Sequence, residues 1–364
     1  MRPTRASRLT DFARCPMPQK TDYLFILESP VKARRLTQQG VSAIATKGHL
    51  FELDNRNDLI GKPDSQKWLT DILTAAKKHS HVIVATDLDV DGQAIATHLT
   101  DYLAANGVPV AGYTHYLPTV DQMLKEMRDA PAHDDYPWRA RAVVDREFLQ
   151  CTGLGRGEAA ILRLTTGKSK FLEERGTATR QIVMAAHTNL SVAPQDALTA
   201  LQTLHETGIL SYPRTDAEVR QEGMVHPPLH FLGKPEAGLA VRLMGRNPAT
   251  LTLEHKIMVT VAGRLQGDTT RKTDGWPSIH ALCEANKRGW LSIKGATEAH
   301  ARMQKTGWVA EDLTLAGKYA FEKATRKFPE LLQDDFYGEC ASVIRDAAFE
   351  GKAALKRAEN LMSR

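Results

Sequence analysis

The 364-residue chain has few cysteines, no long apolar run and no strong excess of charge of either sign. Its four cysteines, Cys15, Cys151, Cys283 and Cys340, stand far apart. There is no CxxC pair, so a zinc ribbon or finger is excluded. Isolated thiols fit a reducing compartment, and the expected location is cytoplasmic. No apolar stretch approaches the ~18 residues of a membrane span, which excludes a transmembrane helix and predicts no membrane partner. Lys and Arg total 48 against 43 Asp and Glu, a formal net charge of +5. That balance permits a nucleic-acid partner without demanding one. With 42% hydrophobic and 25% charged residues, the chain is not largely disordered. Its length suggests two or three domains with ample core.

Two phosphate-loop lookalikes also fail. Gly167-Lys168-Ser169 has Leu162 where a Walker loop needs glycine, and Gly153-Leu154-Gly155 has Glu158 where a dinucleotide fingerprint needs its third glycine.

What is present begins with a basic segment over residues 1–20, carrying Arg2, Arg5, Arg8 and Arg14 against Asp11 alone. It is read as a loosely ordered tail. Residues 23–27, YLFIL, form the first strand signal. Glu28 follows, then Ser29 and Pro30, an N-cap and first-turn proline that predict a helix ending at Gly40. Strands are predicted at 42–46 and 81–86, and a helix at 92–105 with Ile95, Leu99 and Leu103 on one face. Alternating strands and helices imply an α/β domain with a largely parallel sheet over residues 21–130. The rest reads as helical and basic, with Arg139, Arg141, Arg146, Arg156 and Arg163 close together. Residues 197–207 and 297–306 each read as a helix followed by glycine and a short strand, the pattern of winged-helix units. Residues 338–362 are expected to form one terminal helix.

The sharpest local feature is Asp87-Leu88-Asp89-Val90-Asp91-Gly92. An EF-hand reading fails, because position twelve is His98 and a strand precedes the loop. What remains is a carboxylate cluster at the C-terminal end of a parallel strand, where α/β folds place ligands. Glu28 ends another strand. If the two strands are neighbours, four carboxylates meet at one sheet edge, which suits Mg²⁺ and phosphoryl chemistry. Further along, Tyr212 has Arg214 two residues away across Pro213. A tyrosine attacking a phosphodiester needs such a cation.

These pieces occur in the order found in type IA DNA topoisomerases. Residues 23–35, YLFILESPVKARR, resemble the family's opening strand and turn. Residues 45–53, ATKGHLFEL, resemble its next signature. Residues 82–99, VIVATDLDVDGQAIATHL, are similar to the acidic core of a TOPRIM domain. Asp145-Arg146 and residues 155–164, GRGEAAILRL, resemble two further signatures. Residues 201–216 resemble the segment carrying the nucleophile, and residues 274–280, DGWPSIH, an AHPPIHP-type motif. The resemblance implies a TOPRIM α/β domain followed by mostly helical domains with winged-helix-like units. The expected segments are a tail over 1–20, the TOPRIM domain over 21–130 and a DNA-binding helical part over 131–192. A nucleophile-bearing domain over 193–289 and a C-terminal part over 290–364 complete the chain.

The resemblance further implies that Tyr212 attacks single-stranded DNA to form a 5′-phosphotyrosyl link, with relaxation or decatenation as the outcome. Arg214 would steady the scissile phosphate and Lys32 would contact it. Glu28 would be the acid toward the leaving 3′ oxygen, and His280 would take part in catalysis. Glu28, Asp87, Asp89 and Asp91 would hold Mg²⁺. Lys47, His49, Arg146, Arg156 and Arg163 would contact DNA.

The chain departs from the family's pattern at several points. Asp91 and Gln93 replace glutamates, Trp276 replaces a histidine, and Gly157 and Glu158 replace Val and Gln. The segments 164–190 and 280–314 are short where relatives carry an arch, so a reduced arch is expected, with no zinc-bearing tail. A TOPRIM nuclease or primase-like enzyme, and a DNA-binding protein that has lost catalysis, remain as alternatives.

Overall fold

The computed structural model describes residues 20–128, 135–166, 176–213, 228–268, 277–310 and 312–361. Arg214, Trp276 and almost all of the basic tail lie outside the described residues. The chain divides into two compact units. One holds the described parts of 20–52, 59–87 and 92–128, and the other holds 53–58, 88–91 and the chain from 135 onward.

The first unit is built on strands β1 (Tyr23–Leu27), β2 (Ser42–Ala45), β5 (His81–Thr86) and β6 (Val110–His115). They form one parallel sheet in the order β2-β1-β5-β6. A short pair, β3 (Phe51–Leu53) and β4 (Leu59–Gly61), stands apart. The helices are α1 (Pro30–Thr37), α2 (Gln66–Ala76), α3 (Val90–Ala105) and α4 (Val120–Glu126).

Side chains alternate across a strand, so each face of the sheet has its own core. Leu24, Ile26, Val82 and Val84 pack with Leu69, Ile72, Leu99 and Leu103 of α2 and α3. Phe25, Leu27, Ile83 and Ala85 pack with Leu36, Val120 and Met123 of α1 and α4. Burial on both faces explains why β1 and β5 read as unbroken apolar runs. The expected helix start is present: Ser29 Oγ accepts from the Val31 N–H at 3.2 Å, and Pro30 opens α1.

The second unit is helical. It comprises α5 (Tyr136–Thr152), α6 (Arg156–Thr166), α7 (Thr179–Leu190), α8 (Pro194–Glu206), α9 (Lys234–Leu243) and α10 (Leu253–Leu265). It continues with α11 (Pro277–Lys287), α12 (Ile293–Lys305), α13 (Leu315–Lys327), α14 (Asp334–Glu350) and α15 (Lys352–Asn360). In α6, residues Ala159, Ala160, Ile161 and Leu162 are all fully buried, so this helix lies at the centre of the larger core.

Both helix–glycine–strand patterns occur. After α8, Gly208 has φ +72° and Leu210 makes one antiparallel bridge to Phe231. After α12, Gly307 has φ +71° and Val309 bridges Leu313. The short strands expected there are single bridges.

The single terminal helix is corrected to two. Gly351 adopts φ +54°, a conformation costly for any residue with a Cβ, and it ends α14 before α15 begins. No helix among the described residues is long and apolar enough to cross a membrane.

Candidate active site

In the first unit, the chain runs from β1 to β2 on one side and places β5 on the other. The crevice beyond the carboxyl ends of β1 and β5 is therefore a topological switch point, where open α/β sheets bind ligands. Ile26 pairs with Val84, so the two strands are neighbours and the residues after them converge. The Asp87 N–H donates to Glu28 Oε1 at 2.9 Å. Lys32, in the first turn of α1, donates its Nζ to Asp87 Oδ1 and also stands 5.0 Å from the centre of the Tyr116 ring. Only 1% of Lys32 is exposed, so the ion pair with Asp87 holds a buried charge.

Lys47 follows β2 with φ +62°, and its N–H donates to Glu28 O at 2.9 Å. Its ammonium lies 3.8 Å above the Trp68 ring. His49 is half-buried two residues on.

The second unit contains the other two acids of the segment. Tyr212, in the loop after Leu210, donates its Oη to Asp89 Oδ2 at 2.5 Å. The His205 ring packs edge-on against Tyr212, with centroids 5.1 Å apart. Asp91 accepts from Arg141 Nη2 at 2.5 Å and lies 3.9 Å from Lys294 Nζ. Burial pulls the Lys294 ammonium down, but the carboxylates of Asp91, Glu298 and Asp89 together hold it above its ordinary value. A cleft of about 640 Å³ opens beside Asp91, lined by Arg141, Asp145, Glu158, Lys294 and Arg302 among others. Arg302 Nε donates to Glu158 Oε1 at 2.6 Å across it.

The helix after the acidic segment starts at Val90, two residues before the expected position, so Asp91 lies in its first turn. An acid there is favoured by the helix dipole.

The remaining candidates are placed as follows. Arg156 is 5% exposed and donates to Asp145 Oδ1 at 2.6 Å and to Trp290 O at 2.7 Å. It is a buried clamp between Asp145 and the Trp290 carbonyl. Arg146 donates to Asn57 Oδ1 at 2.8 Å. Arg163 pairs with Asp334, which also accepts from Arg288.

His280 is buried in α11 within a histidine group. Burial first, and the nearby His187 second, lower His280 and His300, the latter to about 4. His187 is itself lowered by burial, with the Val192 carbonyl opposing the shift. His300 Nε2 meets Ser278 Oγ at 3.0 Å. Between pH 6.5 and 4 the unfolded His300 binds a proton that the folded one refuses, so stability falls as pH falls through that window. At roughly 1.4 kcal/mol per unit the limit is about 3 kcal/mol. Urea midpoints measured at pH 7 and pH 4.5 check this, and His300→Gln should flatten the profile. Equal slopes for both proteins would refute it.

Of the four acids expected to hold Mg²⁺, Glu28 and Asp87 belong to the first unit and Asp89 and Asp91 to the second. No group of three or more His, Cys, Asp or Glu among the described residues is placed to hold a metal ion. Each acid is met by a protein donor instead: Asp87 by Lys32, Glu28 by the Asp87 amide, Asp89 by Tyr212, and Asp91 by Arg141.

Sequence reasoning did not single out Lys294 or His205, and it named Arg141 only as one of a cluster of arginines. Lys294 did leave one signal, since a lysine in the first turn of a helix opposes the helix dipole.

Residues 23–116 match the Toprim domain family. No curated protein matches the chain. Among solved structures, it is similar to full-length topoisomerase I from Thermotoga maritima, with a TM-score of 0.70 and 12% identity. The match covers 93% of this chain and 89% of that one. At that identity the likeness is one of fold. It agrees with a Toprim α/β domain followed by a mostly helical region.

Proposed function

We propose that this chain cleaves and reseals single-stranded DNA through Tyr212, as type IA topoisomerases do. One observation carries the reading: the Tyr212 hydroxyl is bonded to Asp89, a member of the acidic segment that follows β5 of the Toprim sheet. A tyrosine whose proton already points at a carboxylate is an activated nucleophile.

Tyr212 Oη attacks the phosphorus and the bond to the 3′ oxygen breaks. The tyrosine proton passes to Asp89 Oδ2. Glu28 Oε1 accepts from the Asp87 amide, and Oε2 carries the proton given to the leaving 3′ oxygen. Lys294 and Arg141, with Arg214, compensate phosphate charge. Resealing is the reverse exchange, so it needs no ATP. Binding is dominated by the DNA backbone and weakens with salt.

The nucleophile-bearing domain is assigned to 193–289, between the helical part (131–192) and the C-terminal part (290–364). Only residues 167–178 separate α6 from α7, which supports a reduced arch. The expected consequence is strand passage weaker than cleavage.

The test uses end-labelled single-stranded oligonucleotide with Mg²⁺ in the buffer, followed by SDS. Label on the 3′ side of the cut should migrate with protein, and Tyr212→Phe should abolish the adduct. Free fragments persisting in Tyr212→Phe would favour a nuclease. No cleavage by either protein would favour a binding module.

A further inference from the structure

Helix α13 is firmly seated. Thr314 caps it, accepting from the Gly317 N–H at 3.1 Å. Gly317, Phe321 and Ala324 are buried, and a Cβ at Gly317 would stand 2.4 Å from Trp308 O.

The opposite face is unusual. Leu315 is 83% exposed and Tyr319 66% exposed. Lys323 and Arg326 continue the same stripe, following the helical repeat, and Lys318 and Lys327 flank it. All four cations are exposed, and Glu322 is the one acid among them. None of the four makes an ion pair among the described residues. The helix dipole accounts for Arg326 and Lys327 in the last turn, but not for Lys318, Lys323 or the exposed aromatic ring.

The geometry points to a second DNA contact on this face. The occupant is a segment of single-stranded DNA whose phosphates meet Lys318, Lys323, Arg326 and Lys327 and one of whose bases stacks on Tyr319. Charge complementarity selects a polyanion, and an exposed ring beside unpaired cations is the pattern of a stacking platform in an electrostatic groove. The stripe from Leu315 to Arg326 is roughly 16 Å long, room for about four nucleotides. The inference rests on the reading that DNA is the substrate, and it places a binding surface outside the cleavage residues.

The test measures binding of a fluorescein-labelled single-stranded oligonucleotide by anisotropy across a salt series, using the full chain. Tyr319→Ala should weaken binding about 5- to 10-fold, and Tyr319→Phe should not. The double variant Lys323→Ala/Arg326→Ala should reduce the slope of log K against log salt by about 1.4. Melting temperatures and the amount of Tyr212 adduct at saturating oligonucleotide should stay at parental values. Unchanged affinity and slope in the variants would overturn this contact while leaving the cleavage reading intact. A change in self-association without a change in DNA binding would overturn it in favour of a protein contact. If the parent neither binds the oligonucleotide nor forms an adduct, both readings fail together.

Discussion

Lys32→Met should cost about 3–5 kcal/mol of folding stability, because it leaves the Asp87 carboxylate buried without its counterion. Lys32 is nearly inaccessible, so water cannot replace it. The double variant Lys32→Met/Asp87→Asn should recover most of the loss, since removing both charges removes the desolvation penalty together with the attraction. Urea unfolding of the two single variants and the double gives the coupling energy directly. Additive losses would show that the pair does not act as a unit. Lys32→Met should also lower adduct formation, because a displaced Asp87 moves the backbone amide that donates to Glu28 Oε1.

The second large effect is steric. A Cβ on Gly92 would stand 2.2 Å from Asp87 O and 2.9 Å from Asp87 C and N. Those are backbone atoms, so no side chain can swing away. Gly92→Ala should therefore destabilise by about 3 kcal/mol and displace the acidic segment. A displacement near 1 Å at reacting groups lowers rate on the order of 100-fold, so the adduct should form far more slowly. Gly238 is the control. It lies inside α9, where the nearest atom to an added Cβ is Arg242 Nη1 at 3.5 Å. Gly238→Ala should gain up to about 1 kcal/mol from helix propensity. If Gly92→Ala behaves like Gly238→Ala in chemical denaturation, the steric argument fails.

Gly92 also shows what the sequence could and could not tell. The run of alternate acids ending in glycine marks a special turn, and the apolar strands before Glu28 and before Asp87 are plain in the residues. Buried parallel strands announce themselves because both faces are apolar. Strand β6, with Gly112 and polar residues at the sheet edge, does not, and β3 and β4 are three residues each. The acids were legible, but their partners were not. Arg141 and Lys294 reach Asp91 from helices far along the chain, and no local pattern records a tertiary ion pair. The same holds for the histidine group, whose members come from three helices. The break at Gly351 was missed because the apolar spacing runs through it.

The strand order has a consequence for how the chain is made. β1 is synthesised before β2 and β5, yet it is an interior strand that needs β2 on one side and β5 on the other. Its edge toward β5 has no partner until residues 81–86 have left the ribosome. For that interval an apolar strand stands open along one side, the kind of surface that recruits other chains. Glu28, directly after β1, therefore begins beside an open strand edge of the kind a chaperone covers.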